Sequence, residues 1–247
     1  LNYRRLKSEN YAKMLDLLGA NGFLDVDTFS DIGTDASFSD LMNPNRIINE
    51  GDRFRYNYNL FAEEMGAFAQ AQFSFNKVDF YLGGKVTNTN YQREGLYDNG
   101  SFPTFYTNGS GQYTDASGNI LAPGQAPVVL PGVADNSISY SFGDSEKVDF
   151  LGYGAKAGLT YKITGKHLID INGAYVANAP TLRNTFSNAR QNNDIVRDID
   201  NQITTAVDAS YIFRSPTVNA RLTGYYNLTQ DATEISFFFA DGISLNA

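Results

Sequence analysis

The 247 residues contain no cysteine and a single histidine, His167. Without Cys there is no disulfide framework, thiolate metal site or cysteine nucleophile, and the redox compartment stays open. Basic residues are both few and scattered. Nineteen Lys and Arg stand against 27 Asp and Glu, a formal net charge of −8, and no basic cluster is present to track a phosphate backbone, which excludes nucleic acid as a partner. No apolar run approaches the roughly 20 residues of a membrane-spanning helix, which excludes helical spans and leaves β-barrel spans open. The chain starts at Leu1 with no basic n-region or apolar h-region, so no signal peptide is visible and the sequence reads as processed or as a piece. No internal repeat of fixed period appears.

Aromatic residues, all Tyr and Phe, make up 14% of the chain, and Gly and Asn are abundant. That mixture suits strands and turns better than helices. The length allows one all-β domain or two small ones.

Alternation is the dominant pattern. From Val148 to Ile163, the odd positions Asp149, Leu151, Tyr153, Ala155, Ala157, Leu159, Tyr161 and Ile163 alternate with even ones that include Gly152, Gly154, Lys156, Gly158, Thr160 and Lys162. The same period of two runs through Leu168–Ala177, Ile203–Phe213, Val218–Leu228, Phe61–Phe75 and Val78–Asn90, predicting six complete strands with one apolar and one polar or small face. Partial strands are expected at Leu1–Lys7 and after Thr233. The strands reach the roughly 9 to 11 residues that a tilted strand needs to cross a bilayer.

Short turns at 76–77, 162–167 and 214–217 alternate with long excursions at 8–53, 92–147 and 178–202, as when one rim of a wall is trimmed and the other elaborated. In the first excursion Tyr11, Met14, Leu15 and Leu18 have helical spacing, and Gly19 offers a stop, so a short rim helix is expected there.

A soluble sandwich also alternates. Two features favour a membrane wall instead. The apolar faces carry Phe73, Phe75, Phe80, Tyr161, Tyr211 and Phe213 near the short turns, in the manner of an interfacial girdle. The opposite faces are rich in Gly, Ser, Thr and Asn, with Asp149, Lys156, Asp170, Asp208 and Arg221 assigned to a watery lumen.

The stretch Ala174–Val196, AYVANAPTLRNTFSNARQNNDIV, resembles the barrel signature of TonB-dependent outer-membrane receptors, most closely those of the Bacteroidota type. The matching residues are Ala179, Pro180, Thr181, Leu182 and Arg183, then Phe186, then Asn192, Asn193 and Asp194. The resemblance covers Val148–Ser236 best. Asn178 stands where the family commonly has Arg, so a role tied to that Arg does not carry over. Pro180 removes a ladder donor and releases the chain from the wall.

The resemblance implies an all-β fold, an antiparallel transmembrane β-barrel wall, with 1–247 forming an interior segment of one barrel of about 22 strands. Its plug domain would lie outside the chain. The long excursions would be extracellular loops and the short turns periplasmic. The implied function is import of a nutrient (siderophore, vitamin, glycan or peptide) across the outer membrane of a Gram-negative bacterium, driven by the inner membrane. The implied partners are outer-membrane lipid and lipopolysaccharide, the rest of the barrel with its plug, the TonB complex and a surface lipoprotein. A passive porin, a surface adhesin or carbohydrate-binding β-sandwich and, more distantly, an outer-membrane hydrolase are the rival readings.

Few residues invite chemistry. Gly152–Gly158, GYGAKAG, lies within strand alternation with no helix after it, so its glycines are read as room for a plug or a crossing side chain and not as a phosphate loop. His167 reads as an interfacial turn residue, because neither a metal cluster nor a catalytic triad can be assembled around it. The acids of Asp25–Asp35 miss the EF-hand pattern at Phe29 and Ser30 and read as solvated loop acids, with loop calcium as the alternative. Phe102, Phe105, Tyr106 and Tyr113 are candidates for a substrate vestibule, and Arg183 and Arg190 for contacts with ligand or lipopolysaccharide phosphates. Packing between loops and loop salt bridges are the plainer alternatives. No cofactor or metal is expected, and no enzymatic activity.

Overall fold

The computed structural model describes residues 1–27, 35–130 and 139–236. The strands, in chain order, are β1 (Asn2–Lys13), β2 (Phe23–Leu24), β3 (Ile47–Ile48), β4 (Arg53–Ser74), β5 (Val78–Gly95), β6 (Gly143–Asp144), β7 (Val148–Lys162), β8 (His167–Asn178), β9 (Gln202–Arg214) and β10 (Asn219–Gln230). Seven of them form one antiparallel sheet in the order β1-β4-β5-β7-β8-β9-β10, curled into a half-barrel. Two-residue β6 pairs with the end of β5, and β2 with β3 makes a separate ribbon. Every neighbour in the main sheet after β1 is next in sequence apart from β6, so the order is a meander of three tight hairpins, β4-β5, β7-β8 and β9-β10, joined by long excursions.

Local chemistry closes those hairpins. Asn76 and Lys77 form a two-residue turn that the Phe75 N–H closes by donating to the Val78 carbonyl at 2.7 Å. Between β9 and β10 the Ser215 N–H donates to the Val218 carbonyl, while the Val218 N–H donates to the Ser215 hydroxyl. Pro216 sits between them, where a missing N–H costs no ladder bond.

The hairpins are staggered. The register row through Val78 continues through Tyr161, Ile169, Tyr211 and Leu222. The first hairpin closes on that row, whereas β9 runs on to Arg214. Such stagger is the shear that tilts strands when a sheet closes on itself.

Register fixes which side chains share a face. Ala71, Leu82, Ala157, Gly173, Val207 and Tyr226 lie in one row across six strands, and the neighbouring rows on that face hold Phe73, Phe80, Leu159 and Ile171. These side chains are not covered: Leu82 is 54%, Leu159 41%, Val207 48% and Leu222 76% exposed. The other face carries side chains that converge across intervening strands, as on a concave surface. The buried apolar cluster is elsewhere, at the end away from the short turns. There Tyr91 and Phe150 pack with Phe186 of the 178–202 excursion, flanked by Leu60, Val148, Leu182 and Ile195.

Several expectations change. The partial strand at Leu1–Lys7 is a full strand running to Lys13, and β4 begins at Arg53, so both ends of the expected 8–53 loop belong to the sheet. A bulge there, with a register shift after Tyr11 and Arg55 at φ 65°, hides the alternation. The rim helix does not form. Tyr11 pairs with Asn57 in the sheet, and Leu18 and Gly19 both take positive φ in a turn. Ladder bonds outweigh the costly nucleation of a single helical turn. β5 continues to Gly95, shortening the 92–147 excursion. Thr233–Ser236 are not strand, and residues 237–247, where the last partial strand was expected, lie outside the described residues.

Candidate functional site

The concave face is a polar wall whose geometry depends on glycine. Tyr81, Gly158 and Asn172 are consecutive in one row across β5, β7 and β8. The Tyr81 hydroxyl reaches over Gly158 and donates to Asn172 Oδ1 at 3.1 Å. A Cβ on Gly158 would lie 2.2 Å from the Tyr81 ring and 2.4 Å from that oxygen, so only glycine permits the crossing.

Below that row, Asp170 accepts from the Thr160 hydroxyl at 2.8 Å and pairs with Arg221 at 3.0 Å. Asn172 donates to both Asp170 and Asp208, at 3.3 and 3.1 Å. Arg221 also donates to the Ser210 hydroxyl, which is shared with Thr223 at 2.8 Å. The network therefore spans β5 to β10. Lys162 and Asp79 form a second pair at 2.7 Å beside it.

Toward the other end, Lys156 lies above the Tyr81 ring at 5.9 Å, and Lys85 donates to Asn178 Oδ1 at 2.7 Å. Lys156, Asp170, Asp208 and Arg221 thus share one face. Asp149 does not. It pairs with Asn90, which pairs with Glu63, which pairs with Arg5, all on the convex face with Leu151 and Tyr153. The sequence assignment of Asp149 to the lumen is corrected by parity: it is an odd position in a strand whose even positions face inward. Arg5 and Glu63 form an ion pair at 3.2 Å in this row, a polar border to the apolar band.

The excursions fold over the rim. Arg93, 2% exposed, donates to the carbonyls of Ser141 and Ala189 at 2.8 Å each and to Asn193 Oδ1, with its guanidinium over the Tyr58 ring. One strand residue therefore clamps two long loops. The Tyr91 hydroxyl donates to the Pro180 carbonyl at 3.0 Å, and Arg46 ties Asp25 to Tyr97 and the Arg53 carbonyl. Asp25 is thus a buried ion-pair partner at 4% exposure, not a solvated loop acid, and residues 28–34 of that stretch lie outside the described residues.

Asp98 is fully buried. Its Oδ1 accepts from the Thr104 N–H at 2.8 Å and the Ser141 hydroxyl at 3.4 Å, while among the described residues neither Oδ2 nor the neighbouring Tyr113 hydroxyl makes a hydrogen bond within 3.5 Å. Burial is the main cause pushing Asp98 up to about 6, with the Asp40 charge adding to it against the Thr104 and Ser141 hydrogen bonds. Burial, then the charges of Asp98 and Asp40, raises Tyr113 as well.

The other sequence candidates are dispersed. Phe105 meets Tyr113 edge-on at 5.5 Å and Phe142 at 5.9 Å. Tyr106 is half-buried beside them, with backbone bonds to Thr114 and Val128. Arg183 is exposed on the turn Leu182–Asn184, and Arg190 stacks over Tyr56 at 5.2 Å. Among the described residues no contact joins these arginines to the three aromatics. Arg93 and Asp98 were missed because nothing in "YQREG" or "YDNGS" signals burial. His167 contacts Tyr211 and Phe213 at the short-turn end. What the wall and rim offer is directional hydrogen bonding and fixed charge on a concave surface. The chain matches no known family profile, no curated protein and no solved structure.

Proposed function

We propose that this chain is a barrel wall in the outer membrane of a Gram-negative bacterium, part of a TonB-dependent importer that carries a nutrient through the lumen. The observation that carries the reading is the uncovered apolar band. Row after row of Leu, Ile, Val, Tyr and Phe stays exposed across the sheet, and no second sheet covers it among the described residues. Exposed apolar surface on this scale marks contact with a lipid or a partner. The band is bordered by the Arg5–Glu63–Asn90–Asp149 row at one end and by Phe73, Phe75, Phe80, Tyr161 and Tyr211 toward the other, the arrangement expected of a bilayer span. The importer assignment, over a porin, rests on the Ala179–Arg183 signature and its Asn-rich continuation.

The absence of cysteine makes the membrane reading directly testable. Single Cys residues at Ala157 and Thr204, labelled with an environment-sensitive fluorophore, are expected to separate in lipid vesicles. The Ala157 probe should shift to apolar emission and be quenched by lipid-borne quenchers, and the Thr204 probe should not. Equal behaviour of the two would overturn the reading. A plug-encoding segment upstream in the same reading frame would decide for the importer over the porin.

A further inference from the structure

The sequences Gly83-Gly84-Lys85 and Gly154-Ala155-Lys156 face each other antiparallel, with Lys85 opposite Gly154 and Gly83 opposite Lys156. All four are on the concave face, so lysine and glycine alternate there as a two-by-two checkerboard. The missing Cβ atoms let the lysines lie flat: a Cβ on Gly154 would sit 3.2 Å from Lys85 Cε, and one on Gly83 would sit 3.0 Å from Lys156 Cε.

Their charges are unbalanced, in contrast with the rest of the wall. Lys162 has Asp79 and Arg221 has Asp170, whereas Lys85 reaches only a neutral carboxamide and Lys156 only the Tyr81 ring, and neither meets a carboxylate among the described residues. In a chain of net charge −8, two diagonal lysines on one face that touch no carboxylate leave a local excess of positive charge there. The two ammonium groups point apart, Lys85 toward Asn178 and Lys156 toward Tyr81. They border a hollow of about 750 Å³ lined also by Arg4, Phe68, Gln70, Thr87 and Ala179, a volume suited to a small molecule; its one acid, Glu64, is engaged by Arg4 at 4.0 Å and by the Asn2 amide at 3.1 Å.

We propose that this checkerboard is a binding site for a small carboxylate-bearing solute, whose oxygens draw the two ammonium groups together over the trough left by Gly83 and Gly154. Hydrogen bonds from Gln70 and Thr87 and the Phe68 face would orient the rest of the solute. The site belongs to the concave face and does not depend on what meets the convex one.

The test is calorimetric titration of the full chain in detergent micelles with citrate, folding being checked by far-UV circular dichroism. Lys85→Gln with Lys156→Gln should weaken citrate at least about ten-fold, the equivalent of one lost charge contact, and Lys147→Gln should leave it unchanged. Gly154→Ala, which keeps both charges but lifts the Lys85 stem, should weaken it several-fold. Should the double variant not fold, each single variant carries the same prediction at smaller size. Unchanged affinity in the lysine variants, or no citrate binding by the parent chain at millimolar concentration, overturns the proposal. So does a Glu-rich peptide that binds far more tightly than citrate with the same lysine dependence, which would assign the hollow to a polypeptide.

Discussion

The Tyr91 hydroxyl, on the inward face of β5, hydrogen-bonds the carbonyl of Pro180 at 3.0 Å. The residue that ends β8 pairing is therefore held by a strand two places away in the sheet. Tyr91→Phe keeps the ring packing on Phe150 but leaves the Pro180 carbonyl without this donor. We expect a loss of about 1 kcal/mol in urea unfolding in micelles, together with earlier proteolysis within 178–202. Unaltered stability and cleavage would show that the loop is held without it.

Asp98 gives the rim a pH dependence of definite sign. Burial holds its carboxyl near 6 in the folded state, above the unfolded value, so the native chain binds this proton more tightly. The stabilisation is complete below about pH 4 and is lost as pH rises to about 6, by about 3 kcal/mol over two pKa units. Asp98→Asn keeps the shape without the titration and should flatten the profile. Thermal melts between those pH values check it, and an unchanged slope in Asp98→Asn would assign the effect elsewhere.

Gly158→Ala should destabilise by about 1–3 kcal/mol, as overpacking does, because the new methyl occupies the path of the Tyr81 ring. Combining it with Tyr81→Ala removes the clash with the ring and leaves only the approach to Asn172 Oδ1. The double variant should then lose less than the sum of the two single losses, and additive losses would contradict the crossing geometry.

On the membrane reading, Ala157→Lys should cost about 2–4 kcal/mol near mid-bilayer, with Thr204→Lys mild. Refolding equilibria in lipid vesicles measure both, and equal costs would contradict the assignment of faces.

Much of the sheet is legible in the sequence because its physical causes are local. A period of two, ended by Asn76-Lys77 or by Ser215-Pro216, fixes both strand and partner, and β7 to β10 follow from it. The upper halves of β1 and β4 are not legible, since the bulge at Arg55 breaks the period where Arg53–Leu60 joins the sheet. Asp149 was misplaced because a charged residue looks inward by chemistry although its parity is outward. The rim is least legible of all. Arg93 meets Asn193 across 100 residues, and no spacing rule announces such a meeting. The checkerboard was visible only as two G-x-K triplets, whose meaning depends on the register that sets them opposite each other.

Where Gly83, Gly154 and Gly158 line the wall, long side chains recline along it and do not stand up from it. The clear bore of any barrel built with this wall is thus set by residues that contribute no side chain. Replacing these glycines with larger residues would narrow the bore from the wall inward, with the strand count unchanged.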